Sequence, residues 1–303
     1  MKIGFVILIV QSPEHPLSHK HTARYTAIRE MALQAEKAKF DSLWLYDHLF
    51  YRPEDKETIG IWECWTMLSA LAEVTNTIEL GTLVLCNAFR NPAILAKMAH
   101  TIDEVSNGRF ILGIGAGWNK PEFNAFGLPF DHKVDQFEEA LQIIKPLLRE
   151  GKVNFKGTYY QAPNCEILPR SPRPNGPPLM VGCSGPRMMR LTAQYADMWN
   201  TAYLHIPESL DEPLSKLNTA CQEVGRDPSS IEITATIALA YPDLSEPPSF
   251  MEKYLTGSSE EIARSMHKYG EHGASHLMFH ISPYNTEGFV RIVDAMNYYR
   301  KKY

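Results

Sequence analysis

The sequence predicts an α/β fold: a (β/α)8 TIM barrel, one domain over residues 1–303, with inserted loops over the face at the carboxyl ends of its strands. Three observations predict it. Short apolar, β-branched runs alternate with segments of helical period eight times along the chain. One stretch, Ile78 to Asp103, is a complete strand-loop-helix unit, its helix opening behind Asn91-Pro92, where proline costs no hydrogen bond. The length of 303 residues, with 44% hydrophobic and 21% charged residues and no linker-like composition, suits one large barrel better than a doubly wound sheet.

The elements follow in order. Lys2 to Val10 is near-continuously apolar, as a strand covered on both faces is. A polar loop with Pro13, Pro16, His15, His19 and His21 leads to a helix over 22–38, whose Ile28, Met31, Ala32 and Ala35 keep helical spacing. The second strand, 40–46, ends at Asp47-His48, and 49–62 is too long for an ordinary connection, so it reads as an insertion over the barrel mouth. Glu63 to Val74 is the second helix, Ile78 to Leu85 the third strand, and Pro92 to Ser106 the third helix, stopped by Asn107-Gly108. Arg109 to Gly115 is the fourth strand and Val134 to Arg149 an amphipathic helix. The proline-dense segment 151–177 reads as a second insertion without regular structure. The remaining strands are expected at 178–181, 198–202, 231–240 and 276–281. Their helices are expected at 186–196, 207–224, 258–272 (behind a Ser-Ser-Glu-Glu capping box) and 286–299, with a third insertion at about 241–257.

Composition excludes several functions. A net charge of −5 lacks the basic footprint of a nucleic-acid binder. Five widely spaced cysteines, Cys64, Cys86, Cys165, Cys183 and Cys221, with no C-x-x-C pair, read as reduced thiols of a cytoplasmic protein. The apolar start lacks a signal cleavage site, and no run reaches the roughly 20 residues of a membrane span. A metal hydrolase would need more strand-end ligands than His48 and His280 supply, so no metal is expected.

Four places invite chemistry. Asp47-His48 lies where a barrel puts its active groups: the histidine could handle a proton with a carboxylate neighbour orienting it, or simply cap loop amides. Gly113-x-Gly115-x-Gly117 lacks the spacing of a dinucleotide fingerprint and is not on the first strand, so its glycines read as room for a flat ring against the strand. Gly182-Cys183-Ser184-Gly185-Pro186-Arg187 is amide-rich and opens a helix, an anion cradle or an ordinary strand-to-helix turn. Glu63, Trp65, Asn87 and Asn91 are further mouth-lining candidates, while Glu122 reads as an exposed loop residue.

Trp44-Leu45-Tyr46-Asp47-His48, the Ile78–Asp103 unit and Gly113-Ile114-Gly115-Ala116-Gly117-Trp118 together resemble the bacterial luciferase-like superfamily of TIM-barrel oxidoreductases, especially its deazaflavin-dependent branch. The resemblance runs nearly end to end. It implies a coenzyme F420-dependent oxidoreductase that moves a hydride between the deazaflavin C5 and a small organic substrate. Its alternative is an FMN-dependent monooxygenase using reduced flavin and dioxygen, and a further one a non-catalytic flavin-binding relative. It implies His48 as proton handler, Asp47 beside it, a non-proline cis peptide at Leu83-Val84 backing the ring, and cofactor contacts at Cys86, Gly115 and Gly117. It places the cofactor phosphate on Gly182, Cys183, Ser184, Gly185 and Arg187. A homodimer is also implied. Sugar-phosphate dehydrogenase members carry a glutamate where this chain has Trp118; Glu122, four residues on, could substitute for it.

Overall fold

The computed structural model describes residues 1–11, 24–52 and 57–303. Histidines 15, 19 and 21, the expected start of the first helix at Thr22, and Pro53 lie outside the described residues.

Eight parallel strands close on themselves: β1 Lys2–Val6, β2 Ser42–Leu45, β3 Glu79–Thr82, β4 Phe110–Gly115, β5 Leu179–Gly182, β6 Met198–Leu204, β7 Glu232–Ala240 and β8 His276–Ser282. Each pairs with the next in chain order, and β1 pairs with β8 to complete the cylinder. Closure is the physical answer to the edge-strand problem, because every strand then has two partners. A short piece, Leu85–Cys86, rejoins β4 after β3 is interrupted.

Among the described residues eight helices ring the barrel: α1 Tyr25–Lys37, α2 Cys64–Val74, α3 Pro92–Val105, α4 Lys133–Arg149, α5 Pro186–Tyr195, α6 Asp211–Glu223, α7 Ser259–Glu271 and α8 Thr286–Lys302. Their starts follow the sequence signals. Glu63 and Asn91 accept from the first amides of α2 and α3, and Ser258 with Glu261 forms the capping box of α7. Inside the cylinder, Val6, Trp44, Ile111, Met180, Met198 and Met278 form a separate apolar plug, so the barrel is filled and chemistry is left to its mouth. Among the described residues no helix is long and apolar enough to cross a membrane.

One expectation is overturned. The segment 151–177 does contain regular structure, an antiparallel ribbon of Lys152–Lys156 and Gln161–Glu166. Pro163 is tolerated because it falls where the register slips, between the Val153–Cys165 and Phe155–Ala162 pairs, a place that does not need its missing N–H. The segment 49–62 likewise holds a two-residue ladder, Phe50–Tyr51 with Ile59–Gly60.

Candidate active site

Just beyond the end of β2, Asp47 and His48 take different partners. The Asp47 carboxylate receives both outer nitrogens of Arg90, at 2.7 and 3.0 Å, and the Cys86 amide at 2.9 Å. Arg90 also donates to Glu63, the residue that caps α2. Burial pushes the Asp47 carboxyl up, opposed by Arg90 and the Cys86 amide. Burial also works against the Arg90 charge, but Asp47 and Glu63 outweigh it and hold the guanidinium above its ordinary range. Asp47 is therefore a buried anchor tying β2 to the loop after β3.

The carboxylate on His48 is that of Glu122, not Asp47. His48 Nδ1 lies 2.9 Å from Glu122 Oε2, while Oε1 accepts from the amides of Leu49 at 2.6 Å and Phe50 at 3.3 Å. The expected orienting role of Asp47 is thus corrected, since its oxygens are already taken. Glu122 is corrected too, for it is 1% exposed rather than a surface residue. Burial opposes its charge, but His48 and the two amides more than compensate, and its carboxyl sits below the usual range. Glu122 belongs to a short helix, Lys120–Ala125, opened by Pro121. Trp118, on the same connection, sets its ring edge-on to His48 at 5.5 Å, and Tyr46 flanks the other imidazole contact at 6.1 Å.

The Leu83-Val84 peptide is cis. Both side chains pack against the interior plug, and the glycines of β4 and β5 make room for this bulge. A Cβ on Gly113 would meet the Thr82 carbonyl oxygen at 1.9 Å, one on Gly115 the Val84 Cγ2 at 2.9 Å, and one on Gly182 the Val84 Cγ1 at 2.9 Å. Gly117, at φ +81, gives space to Cys86 and Phe123. Each of these glycines thus gives room to a neighbouring group of the protein. Cys86 is buried, and burial pushes its thiol up to about 12.

The 182–187 turn opens α5 at Gly185, with Pro186 in the first turn. Cys183 turns inward to Thr192, 3.3 Å away, and burial pushes its thiol up to about 11. Arg187 is paired with Asp135 and Glu138 near the start of α4. Beside α4's first turn lies a cavity of about 500 Å³ lined by Ala88, Arg90, Asn91, His132, Gln136, Tyr159 and Tyr160 among others. Next to it the buried Asn87 has an Oδ1 with no partner, while its Nδ2 reaches the Tyr160 hydroxyl at 3.4 Å. Asn91 caps α3, and Trp65 is buried in the core against Phe110.

Across the mouth, His280 at the end of β8 is 6% exposed, and burial pushes its imidazole down to about 4, so it is neutral at pH 7. Tyr203, held at φ +56 at the end of β6, brings its hydroxyl to 3.5 Å from His280 Nδ1, and Phe250 packs on both rings. No cluster of three or more metal-ligating side chains exists among the described residues.

Sequence reading missed Arg90 and the true place of Glu122. Signals for both exist: Arg90 is the one cation in the connection 86–91, and Pro121-Glu122 starts a helix just beyond β4, on the same face as His48.

Comparison with known proteins bears on this geometry. Two curated relatives, the pyrimidine monooxygenases RutA of Rhizobium rhizogenes and Escherichia coli, are 33% identical over 228 residues and 32% over 213. These alignments cover 69% and 66% of this chain, and 59% and 51% of the relatives, so the chain spans only about half to three-fifths of their length. Solved structures of similar fold include an F420-dependent secondary alcohol dehydrogenase (TM-score 0.80, 23% identity, 99% of both chains) and a long-chain alkane monooxygenase (0.79, 16%, 99% of this chain and 91% of that one). The sequence model for luciferase-like monooxygenases matches residues 1–247, and the chain belongs to that family.

Proposed function

We propose that the chain is an FMN-dependent monooxygenase acting on a small organic substrate. What carries this choice over the deazaflavin reading is that the two curated relatives named above, each more than 30% identical, are monooxygenases. When bound, reduced FMN supplies the two electrons with which dioxygen is cleaved, one oxygen atom entering the substrate and the other leaving as water. The residues present suit such a cofactor. The orphaned Asn87 Oδ1 can accept a hydrogen bond from a hydroxyl, and the neighbouring cavity offers Gln136, Tyr159 and Tyr160 to a polar tail. Leu83, Val84, Cys86, Gly115 and Gly117 would back the ring, and Gly182, Cys183, Ser184, Gly185 and Arg187 would frame the phosphate at the start of α5, the Cys183 amide being already given to the Asn200 carbonyl. His48 accepts or returns a proton at Nε2, the ring nitrogen left over once Nδ1 is on Glu122. Asp47 keeps that strand end in place through Arg90. The same reading carries a homodimer in the cytoplasm, the former checked by sedimentation.

The test is titration of apoprotein with FMN and with coenzyme F420 in parallel, followed by fluorescence. FMN binding at least tenfold more tightly is expected. Equal or inverted affinities would return the chain to hydride transfer from the deazaflavin, the second reading.

A further inference from the structure

We infer that Glu122 is a positioning residue that sets the tautomer of His48. This rests on His48 being the acting group of the proposed site, but its own test does not depend on that.

A carboxylate has acceptors and no donor, so a hydrogen bond between Oε2 and His48 Nδ1 at 2.9 Å requires the proton on Nδ1. The proton-free nitrogen of the neutral ring is then Nε2. Glu122 is suited to this because it cannot swing away. It is 1% exposed, and Oε1 is pinned by the Leu49 and Phe50 amides at 2.6 and 3.3 Å. Its negative charge is favoured over the neutral acid by those same contacts, which keeps it an acceptor. The imidazole is restrained by the edge-on Trp118 ring at 5.5 Å. Asp47, the adjacent carboxylate, is turned to Arg90 and the Cys86 amide, and His48 Nδ1 is bonded to Glu122 instead. The logic is that of a buried carboxylate holding a catalytic imidazole in one tautomer, where replacement by an amide leaves geometry intact but puts the proton on the wrong nitrogen.

The competing role is plain fastening, in which Glu122 only ties the connection after β2 to that after β4 through the two amides. Glu122→Gln separates them. The glutamine oxygen still accepts from Leu49 and Phe50, so fastening survives, but its NH2 now faces Nδ1 and can only donate. His48 must then carry its proton on Nε2, leaving no free ring nitrogen.

The experiment uses the cofactor-free full chain and two readouts. The first is the ring ¹⁵N NMR pattern of His48, assigned by its loss in His48→Asn. The second is the rate at which His48 is carbethoxylated by diethyl pyrocarbonate, which needs an unprotonated, accessible nitrogen. Wild type is expected to show Nδ1–H at pH 8, and Glu122→Gln to show Nε2–H, with carbethoxylation at least tenfold slower and an unchanged fold. An Nε2–H pattern in wild type overturns the inference, whatever the variant does. So does a Glu122→Gln protein with wild-type tautomer and reactivity. If the tautomer moves as expected but His48→Ala oxygenates substrate at the wild-type rate, the positioning stands and the role given to His48 in the proposed function falls.

Discussion

Asp47 and Arg90 form a two-pronged ion pair at the barrel mouth, with both guanidinium nitrogens within 3.0 Å of the carboxylate and the Asp47 side chain fully buried. It joins the end of β2 to the connection before α3, the two segments that carry His48 and Asn87. Removing one partner would leave a buried charge alone, which costs far more than the net worth of the pair.

Arg90→Ala is therefore expected to destabilise the fold by about 3–5 kcal/mol. Arg90→Lys should recover only part of this, since an ammonium cannot reproduce the planar fork that serves Asp47 and Glu63 together. Denaturant unfolding of the three proteins decides it, and a loss below about 1 kcal/mol for Arg90→Ala would mean the pair contributes no more than a surface bridge.

The seating of Val84 between β4 and β5 gives a second expectation. A methyl on Gly182 would meet Val84 at 2.9 Å, so Gly182→Ala should cost about 1–3 kcal/mol by overpacking. Val84→Ala in the same chain removes the obstructing methyls and should return part of that cost. A double-mutant cycle measures the coupling, and strictly additive effects would show that the two sites do not share this space.

These contacts mark what the sequence could and could not disclose. The barrel was legible because each strand and helix carries its own period, and Asn91-Pro92 and Ser258 to Glu261 mark helix starts locally. The placing of Asp47 and His48 at the mouth was legible for the same reason. Their partners were not, because Arg90 and Glu122 reach them from other connections, separated by 43 and 74 residues. The glycines of β4 were legible only in part: a missing Cβ signals a close approach, but the sequence does not name the protein groups that approach, here the Thr82 carbonyl and Val84. The ribbon in 151–177 was hidden by prolines, most of which lie after it.

Arg187 offers a test of where the cofactor phosphate sits. It is half-exposed and paired with Asp135 and Glu138, so Arg187→Ala should change stability by no more than about 1 kcal/mol. If the phosphate lies on the 182–187 turn, the same variant should weaken FMN binding at low salt, by less than tenfold because the two carboxylates already offset its charge, and the effect should fade as salt rises. An unchanged dissociation constant would move the phosphate to the cavity beside Asn87, where Tyr160→Phe would become the sensitive variant.

His280 makes stability depend on pH in a calculable direction. Its folded-state value is pushed down to about 4 by burial, against an ordinary value near 6.5, so between these limits the unfolded chain binds a proton that the folded barrel refuses. The stability this group lends is fully present above about pH 6.5, declines by about 1.4 kcal/mol for each pH unit as the solution is acidified, and stops declining below about pH 4. His276, buried on β8 and pushed down to about 3, adds a decline of the same sign. Only His280 stands at the mouth, within 3.5 Å of the Tyr203 hydroxyl, which can donate to a neutral imidazole but not to a cation. His280→Gln keeps a polar group there and removes the titration. The wild-type loss of unfolding free energy between pH 7 and pH 5 should therefore shrink by about 2 kcal/mol in the variant, since pH 5 lies about 1.5 units below the unfolded value. Urea unfolding at the two pH values measures both terms. An identical loss in the two proteins would mean that His280 takes up its proton in the folded state as readily as in the unfolded one, and that the wall it forms with Tyr203 and Phe250 is open to water.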